Sequence, residues 1–217
     1  MIAIVFALEF ESAVFCAKQD RRMRVAVWQM GAMGKAAAGI LERKLVDNRP
    51  SLVISAGFAG GLQSHLAAGD LVIGRNFTDS DILARLNLGP DWHIGEIHTA
   101  SAIIERAEDK RNLAQETGCM VGDLETSHIA AVCQEHGIPM LALRCISDTA
   151  DENMPVPASA LLNPATGRPE PLQLFRHLIA NPSSVSGFNQ LLKNAKTAQK
   201  NLARGLNELL PRLLRVV

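Results

Sequence analysis

The segment PMLALRCIS, residues 139–147, is the most apolar stretch of the chain, and it runs straight into the polar DTAD, residues 148–151. A short apolar run bounded by turn residues reads as a buried strand. MIAIVFAL (1–8), RVAVWQM (24–30), LVISA (52–56) and DLVIG (70–74) have the same character, and GEIHTA (95–100) and CMVGDL (119–124) a weaker form of it. Helical patterns lie between them. One has Phe10, Val14 and Ala17 as its apolar positions, one is the alanine-rich 35–47, and one is TSHIAAVCQEH (126–136), which stops at Gly137. Strand, glycine or acidic turn, helix and strand again predict an α/β fold: a central, mostly parallel mixed sheet with helices on both faces. After Asp151 the proline-rich ENMPVPASALLNPATGRPEP predicts a surface connection, followed by helices over 170–180 and 184–214. The expected organisation is a single domain over 1–217, with its core at 1–151 and a helical C-terminal extension at 152–217.

Composition narrows the function. Hydrophobic residues make up 47% and charged residues 20% of the 217, the profile of a globular protein with a sizeable core. Twenty-two basic residues balance twenty-two acidic ones, which leaves no overall basic field for a nucleic acid or an anionic membrane. No apolar stretch approaches the roughly 20 residues of a membrane span. Cys16, Cys119, Cys133 and Cys145 form no CxxC pair, so free thiols are expected. Met1 opens directly on the first strand, and the expected location is the cytoplasm.

In open α/β sheets ligands gather beyond the carboxyl ends of the strands. Glu9 and Glu11, Gly31 and Gly34, Gly57, Gly60 and Gly61, Asp123 and Glu125, and Asp148 all fall at such ends. GAMGK is not a GxxxxGK[ST] phosphate loop and GFAGGL is not GxGxxG, so a dinucleotide site is not indicated. The glycines serve either as packing turns or as bare backbone that a ligand can approach. Asp123 and Glu125 either cap the following helix or grip vicinal hydroxyls, to which a carboxylate can offer two acceptors. Arg144, Ile146 and Asp148 share one strand face. Asp148 is either the ion-pair partner of Arg144, a helix cap, or a carboxyl whose apolar surroundings favour its protonated form, as a general acid requires. There is no G-x-S-x-G elbow, no catalytic-cysteine signature and no HExxH, so neither a serine or cysteine nucleophile nor a metal is expected. Trp28 is expected in the core and Trp92 in a loop.

FALEFES, MGAMGKAAAG, SAGFAGGL, GDLETSHIA and RCISDTAD, in this order over residues 1–151, resemble the purine nucleoside phosphorylase and methylthioadenosine/S-adenosylhomocysteine nucleosidase superfamily. The resemblance implies cleavage of the bond between ribose C1′ and a purine nitrogen. It implies Asp148 as acid or hydrogen-bond partner of the purine, Glu125 as holder of the ribose hydroxyls, and Glu11 as the residue that orients or deprotonates water. It further implies that Ala32, Gly57, Phe58, Leu124, Ile103 and Ile104 contact the substrate. No cofactor is implied, only phosphate as a possible co-substrate, and the assembly would be a homo-oligomer, a dimer or a hexamer.

The chain departs from that pattern in three ways. The first loop offers Glu9, Glu11 and Ser12 and the second only Lys35 where phosphorylases place arginines, which favours water. Phe58 replaces a small polar residue, and the segment between Asp81 and Gly95 is short. The tail, GRPEPLQLFRHLIANPSSVSGFNQLLKNAKTAQKNLARGL, resembles the hopanoid-associated phosphorylase branch, which acts on an adenosine joined at its 5′ end to a large hydrocarbon. Phe175, Leu178, Phe188 and Leu192 then either line a greasy channel or cover the sheet or a subunit interface. A non-catalytic nucleoside-binding module on the same fold is the alternative from another functional class.

Overall fold

The structure, a computed structural model, describes residues 1–18, 25–31, 33–163 and 170–215. Its strands are β1 (Ile2–Phe6), β2 (Val25–Gln29), β3 (Leu52–Gly61), β4 (Leu71–Gly74), β5 (Trp92–Gly95), β6 (Ile97–Thr99), β7 (Val121–Asp123) and β8 (Met140–Asp148). They form one sheet in the order β2-β1-β3-β8-β4-β5, with β7 paired to the end of β3 and β6 to β7. All neighbours are parallel except β4 with β8 and β7 with β3. The helices are α1 (Glu9–Lys18), α2 (Gly34–Asp47), α3 (Ser80–Arg85), α4 (Ala107–Thr117), α5 (Thr126–Glu135), α6 (Ala158–Leu161), α7 (Pro171–Ala180) and α8 (Ser184–Leu213). This is the mostly parallel mixed α/β architecture expected from the strand and helix rhythm.

Both faces of the sheet are covered, which is why β1 and the first seven residues of β8 are buried throughout. Alternation along β1 sends Ile2, Ile4 and Phe6 to the face under α1 and α8, where they meet Phe15, Leu202, Leu206 and Leu210. Ala3 and Val5 point to the other face, with Trp28, Ala37, Leu41 and Ile129 under α2 and α5. The C-terminal half of α8 thus supplies part of the main core.

Three expectations are corrected. In α1 the buried residues are Glu11, Ser12 and Phe15, whereas Phe10 is 48% exposed. The carboxylate of Glu11 accepts the backbone N–H groups of Leu8 and Phe58 at 2.9 and 2.8 Å, and this sets the helix phase. β3 does not end at Ala56. It continues through Gly61 because β8 pairs with it up to Gly60 and β7 pairs with Gly60 and Gly61. Trp92 lies not in a loop but at the start of β5, packed against the core. Cys119, Cys133 and Cys145 are buried free thiols, and Cys16 is exposed.

Leu206 on α8 is fully buried against this core. Leu206→Ala is expected to lower the unfolding free energy by about 2–5 kcal/mol in urea titrations, the range for a leucine truncated in a packed interior. A loss well below that would mean that α8 is not seated on the sheet.

Candidate functional site

The rim of the sheet is organised around a buried charge. Arg144, in β8, is almost fully enclosed and uses every N–H it has. Nε donates to Asp123 Oδ2 at 2.7 Å. Nη1 donates to the carbonyls of Ser55 and Leu143, both at 2.8 Å. Nη2 donates to Ser55 Oγ at 3.0 Å and Thr126 Oγ1 at 2.6 Å. Asp123 in turn accepts from Thr99 Oγ1 at 3.0 Å and from the backbone N–H and hydroxyl of Thr126. The knot joins β3, β6, β7, β8 and the start of α5. Asp123 is therefore a structural carboxylate that also holds the first amide of α5, and Arg144 does not pair with Asp148.

Two carboxylates are packed next to the knot. Glu11 is buried, with Oε2 on the Leu8 amide and Oε1 on the Phe58 amide. Burial pushes its pKa up from the ordinary value; the two amides and the Arg144 charge oppose the shift, and the Asp123 charge adds to it. A Cβ at Gly57 would lie 2.8 Å from Glu11 Oε1, so glycine is what lets the carboxylate lie against the strand. Glu125 precedes α5 but caps none of its amides. Oε1 instead accepts the N–H of Gly34 at 2.9 Å, at the start of α2. Gly34 has φ +56°, a left-handed conformation that disfavours other residues. Burial raises the Glu125 pKa to about 7, with the Glu11 and Asp123 charges adding to it and the Gly34 amide opposing it.

Asp148 closes β8 with its side chain 17% exposed. Its surroundings are not simply apolar. Lys110, on α4 and with a side chain only 1% exposed, places Nζ 2.5 Å from Asp148 Oδ2. The remaining Nζ donors reach the carbonyls of Thr149 at 2.8 Å and Glu152 at 3.2 Å. Ser147 Oγ donates to the other oxygen, Oδ1, at 2.8 Å. A Cβ at Gly60 would stand 3.1 Å from Oδ2, so this glycine too makes room for a carboxylate.

One cavity of about 1000 Å³ connects these groups. Glu11, Phe58, Leu124, Glu125, Ile103, Ile104 and Asp148 all line it. Gly57 lies in a recess of about 10 Å³ behind Glu11 and Glu125. Ala32 lies outside the described residues. Phe58 meets Phe10 edge to face with ring centres 6.1 Å apart, so the aromatic that replaces a small polar residue joins the cavity wall. The C-terminal segments add an apolar part of the wall, formed by Leu161, Leu162, Leu174, Phe188, Leu191 and Leu192. Phe188 and Leu192 are where the channel alternative put them. Phe175 and Leu178 are not: Phe175 is exposed, and Leu178, half-buried on the same side of α7 as Leu174, is not in the cavity wall. Among the described residues no group of three or more His, Cys, Asp or Glu could hold a metal ion.

Lys110 escaped the sequence reading. It sits in AEDKRNLAQET, where charged residues outnumber apolar ones, and no spacing rule singles out the lysine that turns inward. The weak signal was Asp148 itself: a carboxylate ending an apolar strand needs a partner, and Arg144 was only the nearest cation in sequence.

A model describing the phosphorylase superfamily matches residues 13–87 and 76–168. Among solved structures, futalosine hydrolase of Helicobacter pylori aligns with a TM-score of 0.60 at 19% identity, over 95% of this chain and 97% of that one. The 5′-methylthioadenosine/S-adenosylhomocysteine nucleosidase of Neisseria meningitidis, in complex with methylthio-immucillin-A, aligns with a TM-score of 0.62 at 18% identity, over 93% and 96%. The corresponding nucleosidase of S. pneumoniae gives 0.60 at 17% identity, over 90% and 98%. The shared fold spans nearly the whole of each chain.

The burial of Glu125 has a measurable consequence. Its folded-state pKa of about 7 stands above the ordinary 4.5, so between these values the folded chain keeps a proton that the unfolded chain has lost. Its contribution to stability is complete below about pH 4.5 and is lost as pH rises to about 7. Glu125→Gln removes this dependence. The stability of the variant relative to wild type should rise across that window by up to about 3 kcal/mol, measured by urea unfolding at stepped pH. A flat difference would mean that Glu125 is solvated.

Proposed function

From its place in the phosphorylase superfamily, to which this chain belongs, we propose that the cavity cleaves the N-glycosidic bond of an adenosine-type purine nucleoside carrying an apolar 5′ substituent. The observation that carries this reading is the convergence of Glu11, Glu125 and Asp148 on one cavity. Cleavage builds positive charge on the sugar and negative charge on the departing base, so it needs carboxylates at the sugar and a proton at the base.

Glu125, anchored by the Gly34 amide, keeps one oxygen free to accept from ribose hydroxyls. Asp148 faces the base. Its Lys110 partner supplies the positive charge and the proton: as the purine leaves, Lys110 Nζ passes a proton to the Asp148 carboxylate, which hands it on to the base nitrogen, and the neutral Lys110 then regains a proton from water. Leu124, Ile103 and Ile104 provide apolar contact. Among the described lining residues of the cavity, Lys110 is the cation, and it is held by Asp148. Arg144, at the recess, has no N–H left for phosphate. Charge therefore favours water as the acceptor, with Glu11 taking its proton, over phosphate as co-substrate.

Size favours the 5′ substituent. About 1000 Å³ is at the upper end for small-molecule pockets, roughly 300–1,000 Å³, and part of the wall is leucine-rich. An adenosine-linked hydrocarbon of the hopanoid-associated kind fits such a shape.

The test is product analysis of 5′-alkyl adenosines and adenosine with and without phosphate. Free adenine and ribose product without phosphate are expected; a 1-phosphate formed only with phosphate would make the reaction phosphorolytic. No base release under either condition would leave a nucleoside-binding module. Asp148→Asn and Lys110→Met are each expected to lower kcat by about 100-fold or more with KM changed only a few-fold, since both act on the leaving group. A change confined to KM in either variant would make that residue a binding group.

A further inference from the structure

Helix α7 is amphipathic, and among the described residues nothing covers one of its sides. None of its residues is buried, and Leu172, Phe175 and Ile179 are 58, 62 and 62% exposed. Their spacing puts them on one face. Leu174 and Leu178 turn the other way and are half-buried, with Leu174 in the cavity wall. On α8, Val185 and Leu192 are also exposed and lie seven residues apart on one side. Leu192 lines the cavity as well, so the cavity wall reaches the surface at this point of α8.

Along the sequence of these two helices, from residue 171 to 207, the formal charges have one sign. From Pro171 to Asn207 the chain carries Arg176, Lys193, Lys196, Lys200 and Arg204 and no Asp or Glu. Because the whole chain sums to 22 − 22 = 0, the remaining residues carry a net five negative charges. Arg204 lies 4.0 Å from Glu208, while Arg176, Lys193, Lys196 and Lys200 are exposed. Arg176 follows Leu172 by one helical turn, and Lys196 follows Leu192 by one turn. Two carboxylates border the face: Glu170 accepts from Asn163, and Glu152 from the Thr149 amide and Asn194.

We propose that this face docks on an anionic lipid surface, with α7 lying in the headgroup plane. Exposed leucine and phenylalanine beside lysine and arginine are what an interfacial helix presents to such a surface. A second copy of the chain fits worse. A two-fold interface sets the same patch against itself, and this patch would meet its own cations with no acid between residues 171 and 207 to pair them. The docking surface does not depend on the chemistry proposed for the cavity.

The experiment is flotation of the full chain with vesicles of phosphatidylcholine alone or mixed in equal parts with phosphatidylglycerol. Wild type should float with the anionic vesicles and not with the neutral ones, and raised salt should release it. Leu172→Ser/Phe175→Ser/Ile179→Ser should lose flotation at least tenfold while retaining the wild-type circular dichroism and its rate on water-soluble adenosine, since none of the three lines the cavity. Lys193→Gln/Lys196→Gln/Lys200→Gln should weaken it. Failure of wild type to float, equal flotation with both vesicle types, or a triple serine variant that floats like wild type would overturn the proposal. So would a wild-type oligomer that the serine variant breaks into monomers, which would assign the face to a second copy.

Discussion

The site hangs on the guanidinium of Arg144. A charge enclosed in a sheet is costly unless every donor finds an acceptor, and here all of them do. The acceptors come from β3, β7, β8 and the first turn of α5, so satisfying one ion fixes four elements relative to one another. The consequence reaches past the knot. Glu125 is one residue from Thr126, Gly57 two residues from Ser55, and Asp148 four residues beyond Arg144 on the same strand. The cation also offsets part of the charge that Glu11 and Glu125 would otherwise bring into a buried rim.

Glycine is the second device. The rim glycines had two sequence-level explanations, packing turns or bare backbone for a ligand. The structure adds a third. Gly57 and Gly60 sit inside an extended strand, and what approaches their backbone is the chain's own carboxylates, Glu11 and Asp148. Main-chain amides then orient Glu11 without a cation beside it, whereas Lys110 and Ser147 orient Asp148. This use of glycine also explains why SAGFAGGL reads as a loop: glycine normally weakens a strand interior, and only the pairing with β7 and β8 keeps this one regular.

What the sequence made legible follows the strength of the local signal. β1, β4 and β8 are dictated by apolar runs that a two-sided sheet must bury, and their bounds shift by only a residue or two. The phase of α1 was misread because periodicity assumes that apolar residues face inward. Glu11 reverses this: hydrogen bonds to Leu8 and Phe58 draw a carboxylate in and push Phe10 out. Trp92 was misread because β5 is four residues long and carries no alternation of its own; its partner β4 makes it a strand. At the rim, chain order and the family resemblance pointed to Glu11, Glu125 and Asp148, and all three line the cavity. Lys110 stayed hidden because the contact between α4 and the end of β8 spans 38 residues and leaves no mark on either segment.

The long helix α8 carries one apolar stripe along its length, yet the two halves do different things. Where the sheet lies beneath it, Leu202, Leu206, Leu209 and Leu213 are buried; nearer its start Val185 and Leu192 emerge into solvent. Charge is segregated in the same way, and the zero net charge of the whole chain conceals it, because a sum over 217 residues does not see that the cations from Arg176 to Arg204 run without an acid among them. Since the buried half is locked into the core, the emergent half is held out as a rigid edge rather than a loose tail. A stripe that periodicity assigns wholly to packing is therefore divided by where the sheet ends, and that division sets a greasy, cationic edge beside the wall of a cavity that Glu11, Glu125 and Asp148 also line.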